Sequence, residues 1–301
     1  MMSHIHFFYY SNEENNQNER FLDSCSKQNI KPINIYQKTD VPFSLHKKIY
    51  DFYQIFQSNK YSKTDIACFT DAWDVLYLNN GKKIQNEFLK INKPVVFSSE
   101  ENYYNISPNA NNILENWHYK NIFLNSGGYI GYIKDILEML HEIINQQTIL
   151  NCDQAMFYEF FHKNPTKLSL DVNKTIFGTY YRKHNLISRW IFFTQWGYDC
   201  QFYEKNGEVI YKTTQKPICI LHHPGKKGLY LNYIAYRNKY FNTFTIEITI
   251  KLFEYLFFAT MFYNFYILII PFLIIDKFIY NGFYERELRH KIKYYNNRLI
   301  Q

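Results

Sequence analysis

The chain predicts an α/β domain, a largely parallel mixed sheet flanked by helices, followed by a hydrophobic helical tail. Short continuous apolar runs alternate with segments of helical periodicity, as in strands buried on both faces between helices. Several of those runs end on polar or acidic residues, at the strand ends where open α/β sheets gather their ligands. The segment 257–275, FFATMFYNFYILIIPFLII, carries no charge and sets the tail apart.

Residues 4–10 form an aromatic and β-branched run leading into the polar stretch 11–17, a first strand and its loop. Residues 30–36 are a second strand candidate. Between them and the next strand, Leu45, Ile49, Phe52, Ile55 and Phe56 recur at the three-and-four spacing of an amphipathic helix with Lys47 and Lys48 in its first turn. Residues 65–70 (DIACFT) suit a buried parallel strand and deliver Asp71 at its carboxyl end. A helix over 82–91, a strand over 95–98 and an apolar segment over 121–124 follow. The last runs into Ser126-Gly127-Gly128, which reads either as a close backbone approach to a ligand or as an ordinary turn before the helix 133–144. A further helix spans 153–162, with Asp153 at its positive dipole end. Asn206-Gly207 marks a hairpin, and 217–222 is a strand ending in His222-His223-Pro224-Gly225.

With 301 residues, one full core is affordable and little more than a tail beside it. No repeat or low-complexity linker divides residues 1–237, which are expected to form one domain, with 238–301 as the tail. A hydrophobic fraction of 47% and a charged fraction of 20% exclude disorder as the governing class. The net charge of +7 is dispersed, with no basic stripe on a nucleic-acid motif, so nucleic acid is not an expected partner. The five cysteines, Cys25, Cys68, Cys152, Cys200 and Cys219, lack CxxC spacing and are odd in number, which argues for reduced core residues.

No secretory signal is evident in residues 1–10. As a helix, 257–275 would be roughly 28 Å long, enough to cross a hydrocarbon core, and Lys277, Arg286, Arg289, Lys291, Lys293 and Arg298 follow it. Membrane association through this segment is therefore expected, with the catalytic domain facing the cytoplasm or an endomembrane lumen. A single span without a signal and the positive-inside bias of the basic flank disagree on orientation, which leaves an interfacial or re-entrant helix broken at Pro271 as an alternative. A buried core helix is another, given Asn264 and Pro271 within it.

The sharpest chemical signal is the run Phe69-Thr70-Asp71-Ala72-Trp73-Asp74, an apolar strand stopping at two carboxylates that can face one ion. A hard divalent cation takes oxygen ligands and can bridge the phosphates of a nucleotide-sugar. The plainer reading makes Asp71 a turn cap and Asp74 a solvated acid. His222, also at a strand end, can complete an Asp, Asp, His set. Asn125, Ser126, Gly127 and Gly128 offer an amide, a hydroxyl and close backbone approach for a sugar. Asp153 is placed to orient or deprotonate an acceptor.

The blocks FTDAWDVLY, VVFSSE, FLNSGGYIGYI, DQAMFY and LHHPGKKGLYLNY, in this order over residues 5–236, resemble the glycosyltransferase domain of procollagen lysyl hydroxylases and related procollagen glycosyltransferases. The resemblance implies a GT-A type of fold, Mn²⁺ (or Mg²⁺), and a UDP-sugar from which galactose or glucose passes to a hydroxyl acceptor, hydroxylysine-linked in that family. It places Asp71, Asp74 and His222 on the family's metal ligands and Lys48 near a basic residue beside the donor diphosphate, with Lys47 an open alternative. Thr70, Asn125, Ser126, Gly127, Gly128 and Gly225 fall on the donor side. Tyr104 stands where the family often has tryptophan, Cys152 replaces one acid before Asp153, and His222-His223-Pro224-Gly225 stands for His-Gly-Asn-Gly. No iron-dependent hydroxylase domain is expected. The function so implied is hexosyl transfer to a hydroxylated protein. Transfer to a glycan or lipid-linked acceptor, and non-catalytic binding of a sugar nucleotide or glycan at a membrane, are the alternatives.

Overall fold

A computed structural model of the chain describes residues 3–11, 16–36, 45–101, 103, 105, 107–119, 122–146, 152–179 and 201–224. In chain order the elements are β1 (Ile5–Tyr10), α1 (Asn16–Lys27), β2 (Ile33–Asn34), α2 (Leu45–Gln57), β3 (Ile66–Asp71), β4 (Val75–Tyr77), α3 (Gly81–Ile91), β5 (Val95–Glu100), α4 (Ala110–Glu115), β6 (Phe123–Tyr132), α5 (Ile133–Ile144), α6 (Asp153–Lys163), β7 (Leu168–Leu170), β8 (Phe177–Thr179), β9 (Phe202–Lys205), β10 (Glu208–Tyr211), β11 (Lys216–Pro217) and β12 (Ile220–His222). Gly225, Tyr104, Cys200 and the whole segment 238–301, including 257–275, lie outside the described residues. Among the described residues no helix is long and apolar enough to cross a membrane.

The central sheet has six strands in the order β2-β1-β3-β6-β5-β7. β1 runs parallel to β2 and β3, and β5 parallel to β7, while β6 alone is reversed against both its neighbours. The sheet is thus mixed and mostly parallel, as the continuous apolar runs predict. Strand alternation then divides the core in two. Phe8, Phe69, Phe97 and Tyr129 face one side, packed with Phe52 of α2, Ile136 of α5 and Phe157 of α6. Their neighbours Phe7, Cys68, Val96 and Ile130 face the other, with Phe21 of α1 and Phe88 of α3. Tyr129 stacks on Phe69 and on Phe97 at 5.0 Å each, an aromatic row across three strands that fixes their register.

Local signals account for most elements. α3 starts at Asn80, whose side chain accepts from Lys83 N at 3.0 Å, and ends at Asn92 in the left-handed region. α5 buries Ile133, Ile136, Met139, Leu140 and Ile143, the stripe its sequence shows. α6 buries every residue from Asp153 to Phe161, its polar ones meeting polar partners: Asp153 meets Lys48, Gln154 meets Glu100 and Glu159 accepts from Asn109. Asn206 and Gly207, both at positive φ, close the β9–β10 hairpin. The free cysteines Cys25, Cys68, Cys152 and Cys219 are buried, as their spacing implied.

Two departures shape the site. The Ser126-Gly127-Gly128 stretch is no turn: it continues β6. Phe97 pairs with Tyr129 while the next residue, Ser98, pairs with Asn125, so 126–128 bulge out of the β5–β6 ladder while Gly128 still pairs with Thr70 on the other side. The second departure is a small sheet, β4-β12-β8, in which His222 pairs antiparallel with Val75 and parallel with Thr179. That register carries the end of β12 to the turn after β3.

Candidate active site

Asp71 ends β3, and residues 72–74 turn directly into β4. Because β12 pairs with β4, His222 reaches that turn from the far end of the sequence: His223 N donates to Asp74 O at 2.8 Å, and His222 Nε2 lies 3.5 Å from Asp74 Oδ1. Asp71, Asp74 and His222 offer ligand atoms that all lie within 4.8 Å of one another. His222 is buried, and its Nδ1 has no hydrogen-bond partner among the described residues.

Lys48 enters from the first turn of α2. Its Nζ sits 2.5 Å from Asp153 Oδ2 and 3.3 Å from Asp71 Oδ1, and all but 5% of the residue is buried. Burial works against its charge, but Asp153 and Asp71 outweigh that and hold the ammonium above its ordinary value. Lys47 points elsewhere: its Nζ is 2.5 Å from Asp51 Oδ2, a carboxylate that also accepts from Tyr10 OH at 3.1 Å. Lys48 thus joins Asp71 at the end of β3 to Asp153 at the start of α6.

Desolvation raises the Asp71 carboxyl above the usual range; Lys48 and His222 oppose this, while Asp74 and Asp153 reinforce it. For His222, burial disfavours the charged ring, yet Asp74, Asp71 and Glu100 together raise it above the usual imidazole value. The site therefore concentrates negative charge around a buried imidazole, with Asp71 and Asp74 themselves half-buried.

On the β6 side, Gly127 faces His222 and Asp71. A Cβ there would lie 2.2 Å from His222 Cε1 and 2.8 Å from Asp71 Oδ2, so only glycine leaves room. The hydrogen-bond chain beside it runs from Ser126 N to Gln154 Oε1 at 3.1 Å and from Gln154 Nε2 to Glu100 Oε1 at 3.0 Å. Asn125 Oδ1 accepts from Gly127 N at 3.0 Å, and its amide also supports Glu100. Thr70 is not turned to this place; its hydroxyl is buried 3.4 Å from Tyr77 OH. Gly128 packs against the Phe177 ring.

Two residues here have no role in the sequence reading. Glu100 closes β5, and burial pushes its carboxyl up to about 7 against the hydrogen bonds from Asn125 and Gln154 and the charge of His222. The signal was available, an acid at a strand's carboxyl end like Asp71. Arg20, buried on α1, donates through Nη2 to Trp73 O and lies within the field of Asp74. Nothing in its sequence context pointed to the site.

The PLOD GT domain, the procollagen lysyl hydroxylase glycosyltransferase family, matches residues 5–246. The chain belongs to this family. It is accordingly a glycosyltransferase. No curated protein matches it. Among solved structures, a glycosyltransferase involved in glycosylation of the major capsid of PBCV-1 is 12% identical, with a TM-score of 0.42 over 78% of this chain and 98% of that one. A197 from STIV is 14% identical, with a TM-score of 0.35 over 56% of this chain and 81% of its own. The 4-diphosphocytidyl-2C-methyl-D-erythritol synthase from Anaerococcus prevotii is 11% identical, with a TM-score of 0.35 over 56% and 88%. The family match, not these distant likenesses, assigns the chain.

This family suggests a divalent metal and a nucleotide-sugar donor, and the glycosyltransferase's own residues fit a cation. Two carboxylates and a buried imidazole converge, and Gly127 keeps the space between them clear of side chain. Two carboxylates and an imidazole are a donor set that a divalent cation can take.

Proposed function

We propose that the chain is a GT-A-type, metal-dependent hexosyltransferase that moves galactose or glucose from a UDP-sugar to a hydroxyl acceptor. The observation that carries this reading is the convergence of Asp71, Asp74 and His222 in a chain of this family. A cation bound there supplies Lewis-acid stabilisation of the charge that develops on the departing diphosphate.

The chain's own residues divide the remaining work. Lys48 compensates Asp71 and the buried Asp153 and, by taking Asp71 Oδ1, leaves Oδ2 on the His222 side. Asn125, Ser126 and the bulged glycines frame the sugar with backbone and amide groups. Asp153, paired with Lys48 through Oδ2, acts first as a positioning residue and through that pair serves the acceptor side. Gly225, from the resemblance, belongs to the donor side.

The acceptor is a hydroxylated protein, as the procollagen branch of the family implies, with a glycan or lipid-linked hydroxyl as the alternative. The division into a catalytic domain over 1–237 and a membrane-associated tail over 238–301 rests on the sequence alone. A donor screen on purified protein tests the function: UDP-galactose and UDP-glucose, with Mn²⁺ or with chelator, against hydroxylysine peptides and glycans. Donor cleavage in the presence of Mn²⁺ that chelator abolishes supports the reading. Binding of donor with neither cleavage nor transfer would leave a sugar-nucleotide-binding protein instead.

A further inference from the structure

The two carboxylates of the candidate cation site stand close together, with ligand atoms within 4.8 Å of one another and of His222. A basic group stands on either side of the pair. Lys48 of α2 serves Asp71 from one side of the sheet. Arg20 of α1 stands on the other, among the residues around Phe21, and burial depresses its guanidinium to about 10 while Asp74 acts the opposite way.

A buried arginine is costly unless its charge and donors are used. Arg20 is 5% exposed and donates through Nη2 to the carbonyl of Trp73, the residue preceding Asp74. The same turn is held at a second point by the end of β1: Trp73 Nε1 donates to Ser11 Oγ at 3.3 Å, and Asn18 of α1 donates to that hydroxyl at 2.7 Å. From the opposite side His223 N fixes Asp74 O at 2.8 Å. The turn bearing Asp74 is thus clamped between α1 and β12 through its backbone, at Trp73 O from one side and Asp74 O from the other.

We infer that Arg20 is a positioning residue that, by holding the backbone of the turn at Trp73, sets where Asp74 stands at the cation site. The inference rests on the metal reading above. Partners that orient first-shell ligands affect metal affinity directly, so the effect is readable without turnover.

The test is calorimetric titration of Mn²⁺ into the full chain, below the unfolding midpoint of every variant. Arg20→Gln should weaken Mn²⁺ binding by about tenfold or more, and Arg20→Lys, which keeps the charge but not the fork, by less. In an Asp74→Asn background Arg20→Gln should add no further loss, because its effect passes through that carboxylate. A folded Arg20→Gln protein with wild-type affinity overturns the inference, as does a full additional loss in the Asp74→Asn background. If Arg20→Gln does not fold, wild-type affinity in Arg20→Lys overturns it. Wild-type protein that binds no Mn²⁺ overturns the metal site itself and this inference with it, whereas failure in the variants alone leaves the metal site standing.

Discussion

Gly127 stands against His222 so closely that a single methyl group at its Cα would lie 2.2 Å from the imidazole Cε1. No backbone strain requires glycine here, as Gly127 is a strand residue outside the left-handed region. The constraint is space at the site. Gly127→Ala should displace His222 and weaken Mn²⁺ binding by about tenfold or more while the domain stays folded. Gly128→Ala, whose methyl meets the Phe177 ring at 2.9 Å, should instead lower Tm with less effect on the ion. Titration calorimetry beside thermal melts separates them, and equal metal affinity in Gly127→Ala and wild type refutes the crowding argument.

Removing the ligands themselves should be harsher. Asp71 is both a member of the cation set and a partner of Lys48, so Asp71→Ala loses a ligand and leaves a buried ammonium with less compensation. It is expected to be the worst single change, costing on the order of 10²–10³ in kcat, with Asp74→Ala and His222→Ala close behind. Excess chelator should reduce the wild type to the same level. Transfer by Asp71→Ala at wild-type rate in chelator rejects the assignment.

How far the sequence reached follows from what each signal measures. Continuous apolar runs and three-and-four spacings report burial, so β1, β3, β5, α2, α3, α5 and α6 were legible to within a residue or two at most ends. α1 was not, because its inner face carries Arg20, Ser24 and Asn18 among few apolar residues. Acids at strand ends marked Asp71, but the same signal at Glu100 stayed unread beside a longer match. The glycines of β6 were ambiguous because glycine permits both a turn and a close approach, and only the register shift opposite Ser98 distinguishes the two. The choice between Lys47 and Lys48 needed the helix phase relative to Asp153, a long-range fact no local pattern contains.

Asp153 provides a sharper test of roles. Its Oδ2 is 2.5 Å from Lys48 Nζ, which also reaches Asp71. In Asp153→Asn the lysine charge falls wholly on Asp71 and draws that carboxylate away from the ion, so Mn²⁺ affinity should drop by about three- to tenfold along with transfer. Wild-type Mn²⁺ and donor affinity with transfer lost would return Asp153 to a purely acceptor-side role.

Glu100 predicts a pH dependence of stability in the metal-free protein. Its folded carboxyl titrates at about 7, above its ordinary value of 4.5, because burial disfavours the ionised form more than Asn125, Gln154 and His222 support it. The folded state therefore holds a proton that the unfolded chain releases between these two values. Stability from this group is fully present below pH 4.5 and is lost as pH rises through about 7. For a carboxyl this buried the loss is on the order of 1–3 kcal/mol, or a few degrees in Tm. Glu100→Gln is nearly isosteric, keeps an oxygen to accept from Gln154, and has no proton to lose. Melts of wild type and Glu100→Gln in chelator between pH 5 and 8 should diverge, the wild type falling relative to the variant as pH rises. Parallel curves across that range would mean that Glu100 is ionised in the fold throughout, with its charge met by the groups around it.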